Sequence, residues 1–414
     1  KKAKDYAKLF YSDLFGERPF KYDYLEKHNI SNTEWEELEI DQNYFFFEKK
    51  TFNESDLYNS FIKVDEIFNL NNTGVESGRD HFILADTEKE LVNRLRLFIS
   101  SNLPLSLLRK TFDLSDQPNF KLEKVKSNFK KVEEDKIEPY YHKPFYFRSI
   151  YYDNKFLRRH SGVVMEHLKT SNKNLALILK KRSTDPVYSH CFCSNSIVDR
   201  NFLGGQSYVF PLWIFEGDGN LFGASKKSNI NHELETQLEK QYKKKDLTED
   251  IFYYIYAILY CPKYREVFAE QLQIDYPKVP FTNDYKLFKT ISEIGKSLSE
   301  LHLLTSKELS KPLIKFNGKG NNKATNINFN EVEEQLFINP TQFFSGITNE
   351  MWEWEVGKNK PIQRWIKNVK DKELGLNETI EFGKICSAIK LTFDKQAEID
   401  KHYSTILTDL WTKI

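Results

Sequence analysis

Asp250-Ile251-Phe252-Tyr253-Tyr254-Ile255-Tyr256-Ala257-Ile258-Leu259 places Ile251, Ile255, Ile258 and Leu259 at helical spacing, the pattern of a helix turned toward a core. Pro262 follows where a second helix tolerates proline, because an N–H in the first turn has no helical partner anyway. That helix carries Tyr264, Phe268 and Leu272. Asp284 stands as the cap of a third, ahead of Leu287, Ile291, Ile294, Leu298 and Leu301. The spacing predicts a helical unit over residues 246–306 whose stripes belong to a core rather than to a cofactor box.

Working back from it, the segments 148–152, 175–180, 189–198 and 208–215 are short β-branched or aromatic runs separated by polar turns, which predicts a mixed or antiparallel sheet. Earlier still, Thr87 or Asp86 caps a helix bearing Leu91, Leu95, Phe98 and Ile99. A turn, Gly74-Val75-Glu76-Ser77-Gly78-Arg79-Asp80, and a strand over 81–85 precede it. Tyr44-Phe45-Phe46-Phe47 reads as a buried strand or an aromatic docking segment. Residues 4–28 read as two short helices broken at Gly16 and Pro19, with Tyr6, Leu9, Phe10 and Leu14 before the break and Tyr24 and Leu25 after it.

Working forward, residues 311–330 shift to Asn, Gly and Lys, with no acid until Glu331, as in an exposed loop or hairpin at a boundary. A strand or two, a basic segment with Trp352, Trp354 and Trp365, and a long terminal helix bearing Phe382, Ile385, Ile389 and Phe393 complete the chain. The predicted class is α+β: a β-rich middle, a helical unit, and a C-terminal α+β unit ending in a long helix. Three divisions are expected: a connector over 1–135, a β-rich recognition subdomain with the helical unit over 136–310, and a C-terminal recognition subdomain over 311–414.

The 414 residues are 40% hydrophobic, 15% aromatic and 29% charged, enough for several packed units and unlike a disordered chain. No apolar run approaches the roughly 20 residues that span a bilayer, and no secretion signal opens the sequence, so a cytoplasmic protein without membrane contact is expected. Lys1 in place of an initiator methionine suggests a piece of a longer polypeptide. Cys191, Cys193, Cys261 and Cys386 are too scattered for a disulfide framework. His190 beside Cys191 and Cys193 lacks the second ligand pair of a zinc site, so buried thiols on a strand are expected and no metal.

The net charge of +1 does not announce nucleic acid, but charge is segregated. Between His142 and Arg182 ten basic residues, Lys143, Arg148, Lys155, Arg158, Arg159, Lys169, Lys173, Lys180, Lys181 and Arg182, face only Asp153 and Glu166. Active-site motifs are missing. The Asn/Asp-Pro-Pro-aromatic tetrapeptide of an amino-methyltransferase is absent, since Asp185-Pro186 and Asn339-Pro340 each have one proline. Gly217-Asp218-Gly219 lacks the strand-to-helix setting of a cofactor loop. Gly295-Lys296-Ser297 has Thr290 where a phosphate loop needs glycine, and His232-Glu233 lacks a second histidine one turn on. The expectation is binding rather than catalysis, with no catalytic residue and no cofactor in this chain.

Several stretches carry a resemblance. They are Tyr11-Ser12-Asp13-Leu14-Phe15-Gly16-Glu17-Arg18 with Lys21 and Tyr24-Leu25; the turn at 74–80; and Lys143-Pro144-Phe145-Tyr146-Phe147-Arg148-Ser149-Ile150-Tyr151-Tyr152. Asn174-Leu175-Ala176-Leu177-Ile178 with Arg182, Cys193-Ser194-Asn195-Ser196-Ile197-Val198-Asp199, the run from Asp250, Tyr264-Arg265, Tyr276-Pro277-Lys278-Val279-Pro280, Gly295 through Leu301-His302-Leu303-Leu304, and Trp365-Ile366-Lys367 follow in order. Together they resemble the region after the methyltransferase domain in adenine-specific DNA methyltransferases, above all the single-polypeptide (type ISP) restriction-modification enzymes. The third stretch departs from the family's Arg-Pro-Phe-Asp-x-Arg-x-x-Tyr-Tyr pattern at Lys143 and Tyr146, so only Arg148 and the tyrosine pair carry over.

The resemblance implies the target-recognition part of such an enzyme. Its partners would be double-stranded DNA and the N-terminal methyltransferase domain of the same polypeptide, with a helicase or nuclease where the enzyme has one. S-adenosylmethionine would belong to that methyltransferase domain.

Affinity for DNA comes mainly from phosphate contacts and specificity from Arg, Lys, Asn and Gln at base edges. The first candidates are Arg148, Arg158, Arg159, Lys180, Lys181 and Arg182, although Arg148 between aromatics also reads as a fold-holding residue. Gln206 sits in Gly204-Gly205-Gln206-Ser207, a base-reading turn or a plain hairpin. Lys319, Asn321, Asn322 and Lys323 form a loop able to enter a groove, and Lys358, Lys360, Arg364 and Lys367 a second basic run suited to backbone contact. Tyr151, Tyr152 and the three tryptophans read as core. The alternatives are a docking module whose basic segments are merely solvated, and a nuclease without a visible motif.

Overall fold

The computed structural model describes residues 7–40, 45–47, 49, 55–216 and 225–412, in two compact units, Lys1–Ser55 and Asp56–Ile414. In the first unit Leu9–Tyr11 pairs antiparallel with Glu36–Leu38, and the helix Arg18–Lys27 opens with Pro19 in its first turn. The helix expected before Gly16 is therefore a strand where it is described, because three consecutive apolar residues cannot make a helical stripe and their backbone groups pair across to residues 36–38. Lys4, Tyr6 and Tyr44 lie outside the described residues. Phe45 and Phe47 are exposed and in no strand, contrary to the buried segment expected there.

The second unit is built around a sheet that separates two cores. Its strand order is Asn72–Thr73, Tyr208–Pro211, Ala176–Leu179, Cys191–Ser194, all antiparallel. Successive side chains on a strand point to opposite faces. Ala176, Ile178, Phe192 and Val209 accordingly enter one core, while Leu177, Leu179, Cys191, Cys193 and Phe210 enter the other. Cys191 and Cys193 are the buried thiols expected, and loss of hydration pushes Cys193 up to about 12.

The second core is the helical unit. Thr248–Tyr260, Pro262–Val267 and Tyr285–His302 are its helices, with Pro262 in a first turn and the Asp284 side chain accepting from the N–H of Lys286, as the sequence indicates. Ile251 to Tyr260 is buried without interruption, so the helix is apolar all round and lies inside rather than on the surface. Gly295 permits the close crossing: a Cβ there would lie 1.9 Å from the carbonyl oxygen of Tyr253. The helix His232–Tyr242, like Leu105–Phe112 and Leu122–Asn128, is not among the expected elements; only Leu234, Leu238 and Tyr242 break its polar run, and Asn231 caps it by accepting from the N–H groups of Glu233 and Leu234.

The first core contains a mixed sheet, ordered Ile197–Val198, Ile137–Lys143, Tyr146–Tyr151, Leu84–Ala85, with the first pair parallel. Each of the runs 189–198 and 208–215 thus divides. Ile197–Val198 leaves for this sheet after a Ser194–Ser196 bend, and Trp213–Glu216 forms a hairpin with Ser225–Ser228. Residues 81–85 hold only a two-residue strand, because Asp80–Ile83 makes one helical turn closed on the Arg79 carbonyl. The helix Glu88–Ser100 is capped by Thr87, whose hydroxyl accepts from the N–H of Glu90 at 3.2 Å.

The C-terminal sheet runs Lys315–Asn317, Gln342–Ser345, Gln335–Asn339, Asn328–Asn330. The segment expected as an exposed loop therefore supplies both outer strands. Trp352 stacks on Phe329 and Trp365 on Phe382, and Tyr151 and Tyr152 are buried, so the aromatics belong to the core. The helix Leu376–Thr408, about 50 Å long at 1.5 Å per residue, contributes Phe382 to Ile389 to one core and Ile399 to Ile406 to the other. The class is α+β with mixed and antiparallel sheets, as the pattern predicts.

Candidate nucleic-acid interface

Three remote segments meet at one carboxylate. The chain around Gly74 runs between residues 198–200 and residues 158–159. The N–H of Val75 donates to Val198 at 2.8 Å, that of Arg200 to Val75 at 2.7 Å, and Glu76 and Arg159 exchange both backbone bonds at 3.1 and 2.9 Å. Only glycine fits at 74, since a Cβ would lie 2.6 Å from the Val198 oxygen. This clasp fixes Glu76, whose side chain is 18% exposed, against three guanidinium groups. Arg158 Nη1 lies 2.9 Å from its Oε1, and Arg159 Nε and Arg200 Nη1 lie 3.3 and 2.8 Å from its Oε2. One acid against three bases leaves a local excess of two positive charges. The Arg158 and Arg159 side chains remain 63% and 59% exposed.

The same clasp carries the glycine turn. Arg200 Nη2 donates to Gln206 Oε1 at 3.2 Å, and Gln206 Nε2 donates to the Tyr208 hydroxyl at 2.8 Å. Lys358 lies against Gly204 and Lys180 against Gly205. Both lysines share Asp185, at 3.4 and 4.0 Å, with His190 Nε2 at 2.9 Å. Burial, with the nearby Lys180 charge, drives His190 down to about 4 despite Asp185. The 356–360 turn is anchored to this region, because Gly357 N–H donates to Ser189 and Asn359 Nδ2 donates to Phe202, both at 2.9 Å.

Arg148 and Arg364 are less free. Arg148 Nε lies 3.2 Å from Asp86 Oδ1, which also accepts from the Tyr146 hydroxyl at 2.9 Å. Arg364 is half-buried and donates to Asn359 Oδ1 at 2.6 Å; loss of hydration lowers its pKa. Asp199 accepts from the Tyr140 hydroxyl at 2.6 Å and from Lys143 Nζ at 3.1 Å. Burial alone would raise Asp199, but the His142 ring and the Lys143 ammonium pull it down to about 2.

The remaining candidates are placed apart. Lys181 sits 3.7 Å from Asp275 and over the Tyr276 ring, and Arg182 is exposed with no ion pair among the described residues. Lys360 pairs with Glu353, and Lys367 is exposed on the helix Pro361–Val369. The loop of Lys319, Asn321, Asn322 and Lys323 is pinned rather than loose. Asn322, at φ 57°, accepts from buried Gln342 Nε2 at 2.6 Å, and its N–H donates to Gln342 Oε1 at 2.8 Å. Asn321 Oδ1 accepts from the N–H of Lys323, and Thr341 donates to the Lys319 carbonyl. Among the described residues no hydrogen bond or ion pair links this loop to the arginine cluster.

Sequence reasoning missed Glu76 and Arg200. An acid carries no signal for DNA, and Arg200 lies outside the basic stretch. The quoted turn at 74–80 was the available clue.

A family model, the Type ISP C-terminal specificity domain, matches residues 66–389. No curated protein matches the sequence. Among solved structures, a nuclease-deletion mutant of the Type ISP restriction-modification enzyme LlaGI in complex with a DNA substrate mimic aligns over 100% of this chain and 40% of its own, with TM-score 0.68 and 18% identity. The DrdV–DNA complex aligns over 95% and 43%, with TM-score 0.70 and 18% identity. The ATP-dependent Type ISP restriction-modification enzyme LlaBIII bound to DNA aligns over 92% and 26%, with TM-score 0.66 and 17% identity. The fold is shared, and this chain spans less than half the length of each of the three.

Proposed function

This chain belongs to the Type ISP C-terminal specificity domain family, and from that premise we propose that it selects the DNA target of a restriction-modification enzyme by binding duplex DNA over the Glu76 cluster. The observation that carries the reading is the convergence of Arg158, Arg159 and Arg200 with Gln206 on one rigid clasp. Exposed guanidinium groups on a fixed frame suit phosphates and guanine edges, and the frame removes most of the entropy that two free arginines would lose on binding. Lys180 and Lys358, which lie against Gly205 and Gly204, add positive charge beside Gln206. Arg148, engaged by Asp86, supports the frame. Methyl transfer from S-adenosylmethionine, and any ATP-driven movement or cleavage, belong on this reading to other parts of the parent polypeptide.

Duplex binding measured at about 50 and 200 mM salt tests this. Six or more phosphate contacts predict a loss of roughly a thousandfold or more in affinity across that range. Salt-independent binding, or none at the lower concentration, would favour a docking module instead.

A further inference from the structure

Beside the clasp lies a cleft of about 610 Å³ whose rim carries Lys121, Lys124, Lys130, Lys131 and Lys155. Its floor is formed by Phe129, Phe156 and Val125, between the helix Leu122–Asn128 and the end of the strand Tyr146–Tyr151. The two carboxylates that line it, Glu133 and Asp153, are both taken by Lys136, at 2.6 and 2.8 Å. Glu134 next to it is held by Arg96 at 2.9 Å. None of the five rim lysines forms an ion pair with a described residue, and all five are exposed. Their positive charge is therefore left without an internal partner.

Resting on the proposed DNA reading, we propose that this lysine rim is a second phosphate-binding surface, taking the backbone of the DNA that flanks the segment held at Arg158 and Arg159. The two surfaces are one rigid piece. Asn119, in the cleft wall, donates from Nδ2 to the Leu157 carbonyl at 3.0 Å, and Arg79 donates to the Phe156 carbonyl at 2.8 Å while its guanidinium covers the Phe120 ring at 4.0 Å. Lys155 and Arg158 are three residues apart, at most about 11 Å of chain. That is close to the roughly 10 Å over which three base pairs rise, so one duplex reaches both. An enclosed small-anion site uses a few buried convergent donors. Here no lining residue has a buried side-chain polar atom without a hydrogen bond among the described residues, and the cations are long, solvated lysines suited to tracking a backbone.

The test compares the chain with its Lys124→Ala/Lys130→Ala/Lys131→Ala variant on one duplex across a salt series. Three lost contacts should lower the slope of log affinity against log salt by roughly 2 to 3, shrinking the affinity loss between about 50 and 200 mM by roughly fortyfold. Preference among sequences should stay. Lys155→Ala alone should lower the slope by about 1, which keeps the test valid if the triple variant unfolds. Unchanged slopes would overturn the proposal while leaving the arginine reading intact. Saturable binding of adenosine monophosphate that the variants lose would overturn it in favour of a small-ligand pocket. Salt-independent DNA binding by the parent chain would overturn the arginine reading, and this one with it.

Discussion

The Glu76 clasp is assembled from three remote segments and the 319–323 loop is one continuous basic stretch, and the fold fixes different groups in each. In the clasp, backbone bonds from three segments bring Arg158, Arg159 and Arg200 to one carboxylate and leave two guanidinium groups facing water. In the loop, the amide of Asn322 is spent on Gln342 and the Lys319 carbonyl on Thr341. The clasp fixes guanidinium groups that still face water, whereas the loop fixes its backbone and the Asn322 amide and leaves the Lys319 and Lys323 ammonium groups unheld among the described residues. Charge density along the chain does not distinguish the two.

The largest effect that separates the two regions is on DNA affinity. Arg158→Ala/Arg159→Ala should cost about 2–4 kcal/mol of duplex binding, whereas Lys319→Ala/Lys323→Ala should stay within about 0.5 kcal/mol, as surface changes do. Titrations of both variants against one duplex would break the comparison if the losses were equal.

Acid should act on the buried core. His302 is fully buried, with Nδ1 2.7 Å from the Tyr256 hydroxyl and Nε2 2.9 Å from Thr392, and burial holds it down to about 3. Its folded pKa lies below its unfolded value of about 6.5, as does that of His190. Their contribution is therefore complete above pH 6.5 and is lost as pH falls toward 4. Denaturant unfolding should show stability lower at pH 4 than at pH 7 by about 3 kcal/mol from His302 alone. A flat profile between those values would contradict the buried neutral imidazole.

Gln342→Ala should destabilise the fold by about 1–3 kcal/mol, because it strips partners from Asn322 and Asn339. DNA affinity should stay within about twofold, and a larger loss would return the loop to the interface. The smallest effect is the most diagnostic in sign. Glu76→Gln removes a negative charge near the proposed DNA path, which by charge alone strengthens binding. If the carboxylate positions the arginines, affinity should instead fall by about 1 kcal/mol, and tighter binding would show that Glu76 only neutralises them.

The helical half of the molecule was legible because its signals are local: Pro262 in a first turn, the Asp284 and Thr87 caps, and stripes repeated over several turns. Leu9–Tyr11 and Asp80–Ile83 were not, since elements of three or four residues owe their form to partners elsewhere in the chain. At the candidate site, Arg158 and Arg159 were visible as charge. Glu76 and Arg200 were not, because what qualifies them is a parallel bridge between Val75 and Asp199, a contact that no spacing along the sequence announces.

On the proposed function, this chain reads DNA sequence through the clasp. Selection of bound duplexes from a random pool, with the parent chain and with Arg158→Ala/Arg159→Ala side by side, tests it most directly. The parent chain should enrich one short motif, and the variant should lose that enrichment. Equal enrichment by both would place recognition elsewhere on the molecule and contradict it.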